Sequence, residues 1–186
     1  MSDADHVKTA YVTDEELARL SSLHSGYRFE RVKGELIVRA PVKKYSGYLE
    51  SEYLGIVREW SKKNNAEVYG SSAGFKLPNG DMRSPDVAVL LPNHPFYGKK
   101  VEEFIQGAPD FLIEIRSDSD SLSALKEKMA EWVENGCRLA VLIDHFNRNG
   151  YVYRADGSVT EYPYEATITG EEVLAGFSFC PAEVDR

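Results

Sequence analysis

The sequence predicts an α/β protein of the α+β kind, with a central mixed β-sheet, helices flanking it and a β-hairpin near the N-terminus. Three observations carry this. Asp86–Leu91, Asp110–Arg116 and Arg138–Asp144 are nearly continuous apolar runs of strand length, the pattern of strands covered on both faces. Tyr45–Lys63 and Ser121–Asn135 carry apolar residues at helical spacing. The order helix, strands, helix, strand then sets a helix between two core strands. A chain of 186 residues, 42% hydrophobic and 11% aromatic, suits one packed domain over residues 1–186.

Taken in order, Thr13-Asp-Glu-Glu16 has capping-box spacing and starts a short helix ending near Leu23. Tyr27–Val32 and Glu35–Arg39 flank Lys33-Gly34 and form the hairpin. In the Tyr45–Lys63 helix, Leu49, Tyr53, Ile56, Val57 and Trp60 make one apolar face. Glu67–Ser71 and Gly74–Leu77 are short strands, with a turn at Pro78-Asn-Gly80. The helix from Ser121, its N-cap, stops at Gly136, which suits the C′ position. After Arg138–Asp144, a turn at Asn147–Gly150 leads to Tyr151–Arg154, which pairs with Val159–Tyr162 across Asp156-Gly157. Thr167–Phe179 is expected as a short turn packed on the core.

Composition narrows the function. No apolar run approaches the ~18 residues of a membrane span, and the start, Met1–Lys8, is polar and lacks a signal-peptide core. Cys137 and Cys180 have no metal-ligand spacing and read as reduced, buried thiols of a cytoplasmic protein. The net charge of −8 argues against broad electrostatic binding of nucleic acid. It leaves room for a site built of carboxylates, which is itself acidic until cations fill it. Basic pairs stand at Lys43-Lys44, Lys62-Lys63 and Lys99-Lys100, and solvated surface is the ordinary reading of each.

Two acids stand inside the apolar runs. Asp86 opens one strand, and Glu114 lies within another, two residues before Arg116. A carboxylate in such surroundings must be paired, hydrogen-bonded or bound to metal. Alternation puts Glu114 and Arg116 on one face of their strand. If the two strands pair near Asp86 and Glu114, both carboxylates reach one divalent cation, and hard oxygen ligands favour Mg²⁺ or Mn²⁺ over zinc. Two acids 28 residues apart (114 − 86) also fit a turn cap and an intrastrand ion pair, so pattern alone leaves both readings open. His94 and His145, in loop-like contexts without partners at ligand spacing, read as surface histidines. Gly70–Gly74 lacks the lysine and spacing of a phosphate loop.

Ser84-Pro-Asp86 followed by Glu114-Ile-Arg116 resembles the bipartite motif of the PD-(D/E)xK restriction-endonuclease-like superfamily. The similarity is greatest to a bacterial branch, abundant in cyanobacteria, of restriction-endonuclease-like proteins. It spans nearly the whole chain, through Arg31–Ile37, Arg83–Val87, Ala108–Ser117, Glu127-Lys-Met129, Glu134–Asp144 and Val152-Tyr-Arg154. The resemblance implies a restriction-endonuclease-like fold and a metal-dependent endonuclease acting on DNA, with Asp86 and Glu114 holding Mg²⁺ or Mn²⁺. One position departs from it, because Arg116 stands where the superfamily has lysine. Arginine keeps the charge but stays protonated, so it cannot act as a general base.

A lysine from the following helix can replace the missing one, and the resembling branch offers Lys128. Lys128 and Lys126 lie at opposite borders of that helix's apolar arc, so geometry alone does not choose between them. Arg116 and Lys128 are expected to face the phosphate and the attacking water. A third acid is expected from the first long helix: Glu52, with Glu50 and Glu59 as alternatives. The alternative function is a nuclease fold whose site has decayed, acting as a binding or assembly module. Cleavage of RNA or of branched DNA is a further option. Cleavage of both strands needs two sites, which makes a homodimer the expected assembly.

Overall fold

The computed structural model describes residues 11–186, so the polar start at Met1–Lys8 lies outside the described residues. Helix α1 (Asp14–Leu23) is capped by Thr13, and both halves of the capping box form. Strands β1 (Arg28–Val32) and β2 (Glu35–Arg39) make the hairpin. Its turn residues, Lys33 and Gly34, both have positive φ, which a tight two-residue connection requires. Helix α2 (Lys44–Asn64) ends at Asn65 in the left-handed conformation. Then come β3 (Glu67–Gly70), β4 (Phe75–Lys76), β5 (Met82–Arg83), β6 (Val87–Leu90), β7 (Ile105–Gln106) and β8 (Phe111–Ile115). Helix α3 (Leu122–Glu134) follows, with Ser121 as N-cap and Gly136 at positive φ beyond its end. The chain finishes with β9 (Leu139–Asp144), β10 (Asn149–Arg154), β11 (Val159–Pro163), β12 (Ile168–Thr169), β13 (Ser178–Phe179) and α4 (Pro181–Val184).

The central sheet has six strands in the order β11-β10-β9-β8-β6-β3. Strands β8 and β9 are parallel, joined by α3, while β6 runs antiparallel to both β3 and β8. Helix α2 covers one face, where Leu49, Tyr53 and Val57 pack on Val87, Val89, Phe111 and Ile113. Helix α3 covers the other, where Leu125, Met129 and Trp132 pack on Ala88, Leu90, Leu112 and Leu142. Alternation along β6 and β8 therefore fills two cores at once, which explains their lack of polar gaps. Among the described residues no helix is long and apolar enough to cross a membrane.

A second sheet was not legible beforehand. The hairpin continues into a five-stranded sheet, β2-β1-β5-β4-β7, built partly from two-residue strands. Thr167–Phe179 is more than a turn, since β12 pairs with β13 and sends Ile168, Leu174, Phe177 and Phe179 into the α2 core. Strand β10 starts at Asn149, inside the segment expected as a turn, because its ladder with β9 begins at Asp144. Cys137 is buried and Cys180 half-buried, and both are free thiols. His94 is tied down rather than loose on the surface. Its Nδ1 accepts the Phe96 N–H at 3.1 Å, so Nε2 carries the proton toward the Ala108 carbonyl, also at 3.1 Å.

Candidate active site

The register of β6 against β8, Val87 opposite Ile113, brings Asp86 level with Glu114 one step further along. Asp86 lies just before its strand, and its Oδ2 accepts the Ile115 N–H at 2.8 Å. The side chain thus extends the ladder beyond Val87, and both carboxylates come to the end of the sheet on the α3 side. Each lines a cavity of about 420 Å³, walled by the start of α2, the end of β2, the 117–120 turn and α3.

Lys128 rises into this cavity from α3. Its Nζ is 2.6 Å from Glu114 Oε1 and 3.4 Å from Glu30 Oε1, and the residue is only 7% exposed. Lys126 sits elsewhere, with its ammonium over the Tyr151 ring. Glu114 Oε1 also accepts the Trp132 indole N–H at 3.1 Å.

Charge within the cluster is unevenly shared. Burial raises Glu114's affinity for a proton, and although the Lys128 charge opposes this, Asp86 and Glu30 add to it. The carboxyl is pushed up to about 7. Burial acts the same way on Glu30, but there Lys128, Arg83 and the Ser84 N–H prevail and bring it down to about 2. Burial disfavours the Lys128 ammonium, yet the charges of Glu114 and Glu30 outweigh it and hold the ammonium more firmly protonated than usual.

Two expected residues lie outside this arrangement. Arg116 does not face the cavity, although its neighbours Ile115 and Ser117 do. Its Nη1 donates to both oxygens of Asp144, at 3.1 and 3.0 Å. Asp144 is fully buried at the end of β9, and a buried carboxylate must be paired, so it captures the nearest guanidinium. Glu52 is exposed on α2 and absent from the cavity wall. Two residues earlier, about 200° around the helix, Glu50 lines the cavity. Burial and the Asp86 charge raise its affinity for a proton, partly offset by Ser71 and Arg28. Glu59, the other alternative, is exposed and lies 3.7 Å from Lys63.

Residues from the hairpin complete the site without having been expected there. Arg28 Nη1 donates to Asp86 Oδ1 at 3.0 Å. Glu30 is 2% exposed and bridges Lys128 to Arg83, whose Nη1 lies 3.3 Å from Glu30 Oε2. Arg83 in turn pairs with Glu131 on α3. Alternation gave the one available hint, since Arg28 and Glu30 share a face of β1. What covers that face is decided by strands far along the chain.

Two adjacent antiparallel strands ending in an acid pair, with a helix crossing over to a parallel third strand, are what the resemblance to the restriction-endonuclease-like superfamily implies. The chain belongs to the Uma2 family, whose model, "Putative restriction endonuclease", matches residues 14–183. Among solved structures it is similar to a "putative nuclease belonging to DUF820" from Anabaena variabilis ATCC 29413, with a TM-score of 0.75 and 17% sequence identity over 85% of this chain and 89% of that one. At that identity the likeness is one of fold. No curated protein matches the chain.

Proposed function

We propose that the chain is an endonuclease hydrolysing phosphodiester bonds in DNA, with Mg²⁺ or Mn²⁺ held by Asp86 and Glu114. The observation that carries the reading is the meeting of Asp86, Glu114 and Lys128 in one cavity, with the lysine arriving from α3 instead of β8. The family's description as a restriction endonuclease supports the same reaction class.

The donor set fits a hard cation. Among the described residues no three His, Cys, Asp or Glu side chains form a ready-made metal cluster. Mg²⁺ does not require one, because it keeps several waters and commonly takes one or two carboxylates plus phosphate oxygens. Burial first, and then the charges of Asp86 and Glu30, raise Glu114's proton affinity, and a bound cation would offset both by favouring the carboxylate. When bound, the ion would polarise the phosphate and make its water a better nucleophile.

The chain's own residues do the rest. The Lys128 ammonium, held charged by two carboxylates, stabilises negative charge developing on phosphorus and orients a water; it does not remove a proton. Arg28 offers a second cation on the wall beside Asp86. Glu30 keeps Lys128 in place, and Glu50 is the third acid facing the cavity. The alternative of a decayed site rests on Arg116 standing in the lysine's usual place, and Lys128 supplies the ammonium that Arg116 does not.

Plasmid cleavage by purified protein in Mg²⁺ or Mn²⁺, with Asp86→Ala and Glu114→Ala alongside, tests the proposal. Activity in the parent, lost in both variants, is expected. Failure of the parent to cut while calorimetry detects no Mn²⁺ binding would favour the assembly-module reading.

A further inference from the structure

The Lys128 ammonium lies between two carboxylates of nearly equal burial, Glu114 at 4% side-chain exposure and Glu30 at 3%. Burial therefore gives neither acid an advantage, yet the ammonium is 2.6 Å from Glu114 and 3.4 Å from Glu30. The two acids differ in their other partners. Besides the lysine, Glu114 Oε1 accepts a neutral donor, the Trp132 indole N–H. Glu30 Oε1 accepts the Ser84 N–H at 3.1 Å, and its Oε2 faces the Arg83 guanidinium, with Nη1 at 3.3 Å. A second cation beside a buried carboxylate offsets part of its pull on the first. Arg39 stands further from Glu30, at 3.9 Å, and pairs with Asp120 at 3.1 Å.

Arg83 is itself held from α3. Its Nε donates to Glu131 Oε2 at 3.0 Å, its Nη2 bonds the same oxygen, and Asn79 Nδ2 donates to the other oxygen at 3.1 Å. Glu131 follows Lys128 by three residues, so the two lie on one side of the helix. Lys128, Glu30, Arg83 and Glu131 thus close a ring through α3, β1 and β5 in which each sign of charge appears twice. Arg83 is buried and absent from the cavity wall that Glu30 and Lys128 share, so it acts on the cavity through Glu30.

We infer that Arg83 is a positioning residue: by sharing the charge of Glu30, it leaves the Lys128 ammonium leaning toward Glu114, on the side where the scissile phosphate would lie. The inference rests on the nuclease reading above. Without the guanidinium, Glu30 would draw the ammonium back toward the hairpin. A misplacement of about 1 Å can cost ~10²-fold in rate. A general role in joining the two sheets would instead lower stability and leave the ammonium where it is.

Crystal structures of the metal-free parent, Arg83→Gln and Arg83→Lys, with the cleavage kinetics of each, test the inference. Nζ should lie nearer Glu114 in the parent and nearer Glu30 in Arg83→Gln. Arg83→Lys, which keeps the charge, should match the parent. Arg83→Gln should lower kcat about ten-fold with KM little changed, because the guanidinium does not line the cavity. Adding Glu30→Gln to Arg83→Gln removes the excess pull and should restore part of kcat, whereas two purely structural losses would compound. If Arg83→Gln does not fold, Arg83→Gln/Glu131→Gln takes its place, since it removes one charge of each sign together. An ammonium still nearer Glu114 without Arg83, or a Glu30→Gln addition that lowers kcat further, overturns the inference and spares the nuclease. A parent that does not cut sinks the nuclease reading, and a shift of Nζ toward Glu30 on loss of Arg83 then still upholds the hold of Arg83 on Lys128.

Discussion

At the scale of residues, the site turns on one lysine and the acids around it. Lys128→Ala should cut metal-dependent cleavage by ~10²-fold or more, the scale of losing one electrostatic stabiliser. Lys126→Ala, remote from the cavity and stacked on Tyr151, should change little, and equal activity of the two variants would refute the assignment. The same acids predict a pH response of stability without metal. Glu114 rises from an ordinary 4.5 to about 7 on folding, so the folded chain holds a proton that the unfolded chain has released between those values. Stability should therefore decline as pH rises from about 4.5 through 7. Glu114→Gln should flatten that decline in thermal melts from pH 5 to 8, and a parent and variant with parallel profiles would refute it. Glu30 behaves oppositely. Its carboxyl falls from 4.5 to about 2, so its stabilisation is present above 4.5 and is lost as pH drops toward 2. Asp86 and Glu114 stood out in the sequence as acids in apolar strands, whereas the helix pattern put Lys126 and Lys128 at opposite borders alike and only the family resemblance preferred Lys128. Glu30 did not stand out, because an acid beside an arginine in a hairpin looks like ordinary surface until another sheet covers it.

At the scale of elements, the long segments were legible and the short ones were not. Helices α1, α2 and α3 carried caps and periodic apolar faces, and β6, β8 and β9 carried dense apolar runs. Strands β4, β5 and β7 have two residues each, too few for any periodicity, and exist only because distant partners bond them. The error over Glu52 has the same origin. The helix was placed correctly, but one turn holds several acids, and only the position of Asp86 selects Glu50. Along the apolar face of α2, Leu49, Tyr53 and Val57 are buried while Ile56 and Trp60 are half-buried. Trp60 still packs edge-on against Phe177 at 6.2 Å and donates from its indole to the Ala175 carbonyl at 3.1 Å. Trp60→Ala should therefore cost about 2 kcal/mol, less than the 3–5 typical of a fully enclosed tryptophan. Urea unfolding measures this, and an unchanged midpoint would mean that the C-terminal segment does not hold α2 in solution.

At the scale of the whole molecule, charge and architecture set the terms of binding. With a net charge of −8, any affinity for a nucleic acid must come from a few local cations, and those at the cavity, Arg28, Arg39 and Lys43, would have to exchange their partners Asp86, Asp120 and Asp118 for phosphates. Three neutralised phosphates on a single strand give a salt slope near −2 on logarithmic axes, at about −0.7 each. A slope steeper than about −5 would mean that a basic surface beyond the cavity takes part. The architecture also divides the cavity between two sheets. Asp86 and Glu114 stand at the end of the six-stranded sheet, whereas Arg28 and Glu30 come from the hairpin sheet. Glu30 meets Lys128 across 98 residues of chain (128 − 30), and that contact forms only once both sheets are in place. Closing so long a loop is slow compared with growing a helix. During refolding from denaturant, helical signal should thus return well before the ability to cut, and a species with complete helices but an open, inactive cleft should be visible by stopped flow in the interval.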